Sequence, residues 1–112
     1  MITFNFEQNS ATLKINPLIY VRIARAAVQQ AQEDRTALDN ALANSDWAKV
    51  QEISHRWKGD FANLRLSDLS ELARQLNEIA KASVQDMNQA GALYGQFKEV
   101  LQHLEKALAS TG

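Results

Sequence analysis

From residue 17 to residue 108 apolar side chains recur three and four positions apart, with very little to interrupt them. That spacing puts them on one face of an α-helix, and each such face has to be buried against another element. The cleanest stripe is the last, Met87, Ala90, Tyr94, Phe97, Leu101, Leu104 and Leu108. Before it come Leu66, Leu69, Leu72, Ala73, Leu76 and Ala80, ending near Lys81 and opened by Ser67 or a neighbour. Earlier still, Tyr20, Ile23, Ala24, Ala27, Ala31, Leu38 and Leu42 share a face. One proline and four glycines leave few breaks, so a small number of long helices with short connections is expected. Gly91 and Gly95 each cost roughly 1 kcal/mol relative to alanine, which predicts fraying in the amino-terminal half of the last helix.

The boundaries can be read from capping chemistry. Asn16 before Pro17 looks like a cap followed by a proline in the first turn, where its missing N–H costs nothing. A helical pattern runs from there to about residue 44, interrupted by Glu33-Asp34-Arg35, so a kink or break is expected near residues 32–36. Asn44-Ser45-Asp46 reads as a turn in which Ser45 or Asp46 caps the next helix, residues 46–63. In residues 1–14, Ile2, Phe4 and Phe6 alternate like a strand, but a lone strand has no partner, and the segment is read as an extended arm. The chain divides into this arm and a helical domain over residues 15–112. The fold class is all-α: an up-and-down antiparallel four-helix bundle with an additional N-terminal helix or arm.

Composition removes whole classes of function. At 112 residues there is room for one core. Twelve basic against thirteen acidic residues, a net charge of -1, provide no field to attract nucleic acid or an anionic membrane. With no cysteine, disulfides, thiolate catalysis and Cys-based zinc sites are excluded together. The amino terminus has no secretory pattern and no stretch approaches the ~18 apolar residues of a membrane span. A cytoplasmic location is expected.

One helix carries candidate chemistry. On a wheel centred on Trp57, the residues Val50, Ile53, Phe61 and Leu64 fall within about 40°, while His55 falls about 160° away. His55 is therefore expected to face solvent, which argues against a merely packed core histidine. Exposure alone is common and usually idle: His103 also lies opposite its stripe but has no comparable neighbours. His55 has Lys58 at i+3 and Gly59 at i+4. A mid-helix glycine costs about 0.5–1 kcal/mol, and in return leaves bare backbone on which another protein can close. Lys58 puts positive charge where a phosphoryl group on the imidazole would need it. Gln51, Glu52 and Ala62 complete that face as a binding surface. Neutral imidazole is nucleophilic near its reference pKa of ~6.5, and phosphoryl transfer asks mainly for positioning and charge stabilisation.

These residues, Ser54-His55-Arg56-Trp57-Lys58-Gly59 and then Ala62-Asn63-Leu64, resemble the signature of the histidine-containing phosphotransfer (HPt) family of two-component phosphorelays. The stretch Ala41-Leu42-Ala43-Asn44-Ser45-Asp46-Trp47 resembles the turn before that family's active helix, and residues 69–79 its following helix. The resemblance spans about residues 17–108. It implies that His55 is the phosphorylated residue, Lys58 its electrostatic support and Gly59 its access gap. It also implies a monomeric shuttle without kinase activity of its own. Its partners would be response-regulator receiver domains or a hybrid histidine kinase, with no cofactor beyond magnesium brought by the receiver. In agreement, the sequence has no glycine-rich phosphate loop and no metal-ligand cluster.

The chain departs from the pattern at three positions. Arg65 stands where the family has glycine past the helix end, so the left-handed cap is expected to be strained or replaced. Asp60 and Phe61 replace small residues, and Asp60 is expected to pair with Arg56 at i-4. Two further readings are a helical module that docks receiver or kinase domains without carrying phosphate, and a helical enzyme or secretion-associated adaptor. The last finds no paired carboxylates or Ser/His/Asp set to support it.

Overall fold

The computed structural model describes residues 4–111. Among them are five helices and no strand: α1 (Phe6–Thr12), α2 (Pro17–Ala43), α3 (Trp47–Asn63), α4 (Ser67–Lys81) and α5 (Met87–Ala109). Residues 44–46, 64–66 and 82–86 are the only links between α2 and α5. Links so short turn each helix back along its predecessor. α2 packs on α3, α3 on α4, α4 on α5 and α5 on α2, and α1 lies against α2. At 1.5 Å per residue α2 runs about 40 Å, and the molecule measures 43 × 24 × 22 Å. This is the expected up-and-down four-helix bundle with an extra N-terminal helix.

Side-chain caps start four of the helices. Asn16 accepts from the Leu18 N–H at 2.8 Å, with Pro17 in the first turn. Asp46, not Ser45, caps α3 by accepting from Lys49, and Asp86 caps α5 by accepting from Gln89. Asn5 caps α1 by accepting from the Gln8 N–H at 2.9 Å. That cap corrects the extended arm. Closing an orphan N–H locally is favourable, whereas an unpaired strand leaves its backbone open. Residues 6–12 are helical, and Ile2 lies outside the described residues. α1 is tied down by Phe6 against Tyr20 and by a relay in which Asn9 donates to the Tyr20 hydroxyl, which donates to the Leu64 carbonyl.

α1, α2 and α3 each end on a left-handed residue that is not glycine: Lys14 (φ 58°), Ser45 (φ 53°) and Arg65 (φ 60°). At Arg65 the cap is retained, not replaced. Leu66 donates to the Phe61 carbonyl and Arg65 to that of Ala62, while Phe61 and Leu66 are both buried beneath the turn.

The expected break at residues 32–36 is absent; α2 is continuous. Its inward series is Tyr20, Ala24, Val28, Ala31, Asp34, Leu38 and Ala41, so the apparent interruption is a core-facing carboxylate that keeps the helical register. Ile23 is 46% exposed because Tyr20 and Ala24 take the inward positions beside it. Met87 is 38% exposed because it heads α5 before the packed series begins at Ala90. α5 is helical through both glycines, since Ala90, Leu93 and Tyr94 are buried there and packing outweighs propensity.

Candidate functional site on α3

The inward face of α3 is as its periodicity requires, with Val50, Ile53, Trp57, Phe61 and Leu64 all buried. Trp57 stacks on Phe97 of α5, and Phe61 meets the same ring edge-on at 5.9 Å. With that face locked, His55 is exposed, and Glu52, Gly59 and Ala62 are exposed around it.

α4 holds one flank. Asn77 donates to the Gln51 carbonyl at 3.0 Å and to the Ser54 hydroxyl at 3.1 Å, and the Ser70 hydroxyl donates to the Lys58 carbonyl at 3.0 Å. The Ser54 hydroxyl itself donates to the Val50 carbonyl. Gln51, expected on the open face, is half-buried, and its amide donates to the Ala80 carbonyl at 3.1 Å. Asn77 is buried, and its Oδ1 has no hydrogen-bond partner among the described residues.

α2 holds the other flank through Asp34, which is buried. Asp34 Oδ2 accepts from the Trp57 indole at 3.1 Å, and Oδ1 accepts from Arg56 at 2.8 Å and from Gln30 at 3.1 Å. Arg56 therefore pairs across to α2 and not with Asp60, as the wheel had suggested. Asp60 instead turns to α2, lining a groove with Ile23, Ala26 and Asn63. Neither Asp34 nor Asn77 figured among the candidate residues. A signal for Asp34 existed, since it falls in step between Ala31 and Leu38; nothing local singled out Asn77.

On the outer face Glu52 pairs with Lys49 at 3.0 Å. The Lys58 side chain is half-buried beside His55, and among the described residues its ammonium makes no ion pair. At Gly59 an added Cβ would meet nothing within 4 Å, and the backbone is helical. Among the described residues nothing requires glycine there. The same holds for Gly91 and Gly95, but only Gly59 adjoins an exposed imidazole. His103 is exposed on α5. Among the described residues no cluster of three His, Asp or Glu side chains is placed to hold a metal ion, and no helix is long and apolar enough to cross a membrane. The arrangement is an accessible imidazole on a helix hydrogen-bonded from both flanks, with a cation and open backbone beside it.

The model of the family described as Hpt domain matches residues 22–109, which takes in nearly all of α2 and the whole of α3, α4 and α5. Neither curated proteins nor solved structures match the chain.

Proposed function

Because the chain belongs to the Hpt domain family, whose members serve histidine phosphotransfer in two-component systems, we propose that it carries a phosphoryl group on His55 and exchanges it with the aspartate of a response-regulator receiver domain. The observation that carries this reading is the placement of His55 on the open face of α3, opposite Trp57, with Lys58 and Gly59 one turn on. An imidazole nitrogen attacks the phosphorus of the receiver's aspartyl phosphate. The N–P bond forms as the P–O bond breaks, the aspartate leaves as carboxylate, and the ring keeps the proton on its other nitrogen. The reverse step passes the group on.

Lys58 offsets charge on the phosphoryl oxygens, and the bare backbone at Gly59 lets the receiver close on the ring. Glu52, Ala62 and the outer edge of Gln51 are the remainder of the docking surface. Magnesium belongs to the receiver. The protein acts in this reading as a cytoplasmic monomer, served by a receiver domain or a hybrid kinase.

The test is incubation with a phosphorylated receiver and detection of phosphate on wild type and His55→Gln. Acid-labile, alkali-stable label on wild type alone is expected. Binding to a receiver without label on the wild-type chain would replace this reading with that of a docking module.

A further inference from the structure

The geometry points to Asp34 of α2 as a positioning residue for transfer at His55, one that sets the angle at which α3 presents the imidazole. This inference rests on the reading of His55 as the transfer site. Asp34 is only 7% exposed. A carboxylate in such a place is costly to desolvate, and an apolar residue of similar volume often serves stability as well or better. What an apolar residue lacks is direction. Asp34 Oδ2 accepts from Trp57 Nε1 and Oδ1 accepts from Arg56, so both oxygens hold side chains from the two residues that follow His55.

The opposite flank of α3 is held by Asn77 at Ser54 and by Ser70 at the Lys58 carbonyl. His55 thus stands between two directional clamps, neither of which touches the ring. Apolar stacking of Trp57 on Phe97 fixes how deep α3 sits, but tolerates rotation about the helix axis. A rotation of about 10° moves a side-chain tip lying ~6 Å from the axis by ~1 Å. Where reacting groups have to align, a misplacement of that size costs up to about a hundredfold in rate. The ion pair has a second effect: it draws the Arg56 guanidinium toward α2 and leaves Lys58 as the cation beside the imidazole.

The experiment is single-turnover transfer from a phosphorylated receiver to the full chain, with receiver concentration varied, for wild type, Asp34→Leu, Asp34→Asn and Trp57→Phe. The rate constant reports positioning and the amplitude reports the folded fraction. In parallel, the indole N–H resonance of Trp57, distinguished from that of Trp47, reports the hydrogen bond. Asp34→Leu is expected to slow transfer at saturating receiver by about tenfold or more. The half-saturating concentration is expected to stay within about twofold, and the Trp57 resonance to shift. Asp34→Asn keeps an oxygen for the indole and is expected to recover most of the rate. If Asp34→Leu does not fold, Trp57→Phe decides, because it removes the donor and keeps an aromatic core residue; the same slowing is expected. A folded Asp34→Leu or Trp57→Phe that transfers at the wild-type rate, or loses amplitude at an unchanged rate constant, overturns the inference. Absence of label on wild type would instead defeat the transfer reading, and is seen before any variant is compared.

Discussion

Trp57 of α3 and Phe97 of α5 stack nearly face to face, 4.3 Å between ring centroids and 8° between planes. α3 and α5 are not neighbours in the ring of helices, so this pair spans the diagonal of the bundle and joins its two halves. Both rings are almost fully buried, and stacked aromatics add to the apolar area they remove from water. Phe97→Ala would leave a cavity directly beneath the helix that carries His55. We expect a loss of about 3–5 kcal/mol in urea unfolding. A loss below about 1 kcal/mol would mean that the core closes over the gap.

At Gly59 stability and function are expected to part. Since a Cβ there meets nothing within 4 Å, Gly59→Ala should stabilise the isolated domain by about 0.5–1 kcal/mol through helix propensity alone. Gly59→Gln should also fold normally, yet slow phosphotransfer by obstructing the receiver. Thermal melts and transfer rates on the same preparations check both halves; unaltered transfer in Gly59→Gln would remove the access role.

Arg65 closes α3 at φ 60° with both turn hydrogen bonds in place. A side chain in that region costs roughly 1 kcal/mol or more, which glycine avoids. Arg65→Gly is therefore expected to raise stability by about 0.5–1 kcal/mol, net of the added freedom of the unfolded chain. Denaturant midpoints of the two proteins measure this, and a lower midpoint for glycine would show that the arginine side chain contributes more than its backbone costs.

The chain has two tyrosines, and both are held protonated above their ordinary range. Burial pushes the Tyr94 hydroxyl up first, and its hydrogen bond to Asp39, 2.6 Å long, pushes it further. Tyr20 is raised by burial against a smaller opposing effect from Asn9. In the unfolded chain both ionise near 10.0. A raised folded value means that this contribution to stability is complete below pH 10 and is lost as pH climbs beyond it. Phenolate absorbance of the folded protein should consequently lag behind that of free tyrosine as pH climbs past 10, and Tyr94→Phe should flatten the alkaline decline. Phenolate that forms as readily as in free tyrosine with helicity intact would contradict the burial of both rings.

Much of the candidate site was legible in the chain because α3 is regular. A stripe of Val50, Ile53, Trp57, Phe61 and Leu64 leaves one outward direction, and His55, Gly59 and Ala62 lie along it. A local pattern misleads where it admits two solutions. Arg56 had a carboxylate one turn away in Asp60, yet pairs with Asp34, because the more deeply buried acceptor gains more from a charged donor. Gln51 shares the outer arc of the wheel, but its long side chain reaches the end of α4. Phe4 and Phe6 alternate like a strand, yet the Asn5 cap between them starts a helix.

From its own residues the chain settles what short-range physics controls: four stripes at helical period, a cap at Asn16 and another at Ser45 or Asp46, turns too short for anything but antiparallel neighbours, and an outward imidazole. The tertiary structure alone decides the partners of the polar groups in between. Asp34 reaches Trp57 and Arg56, Asn77 reaches Ser54, and Tyr20 reaches the Leu64 carbonyl. Helical periodicity repeats every three or four residues and is written in any short window of sequence. A hydrogen bond between residues more than twenty positions apart exists only after two helices have docked, and its direction then fixes the rotation that hydrophobic contact leaves loose.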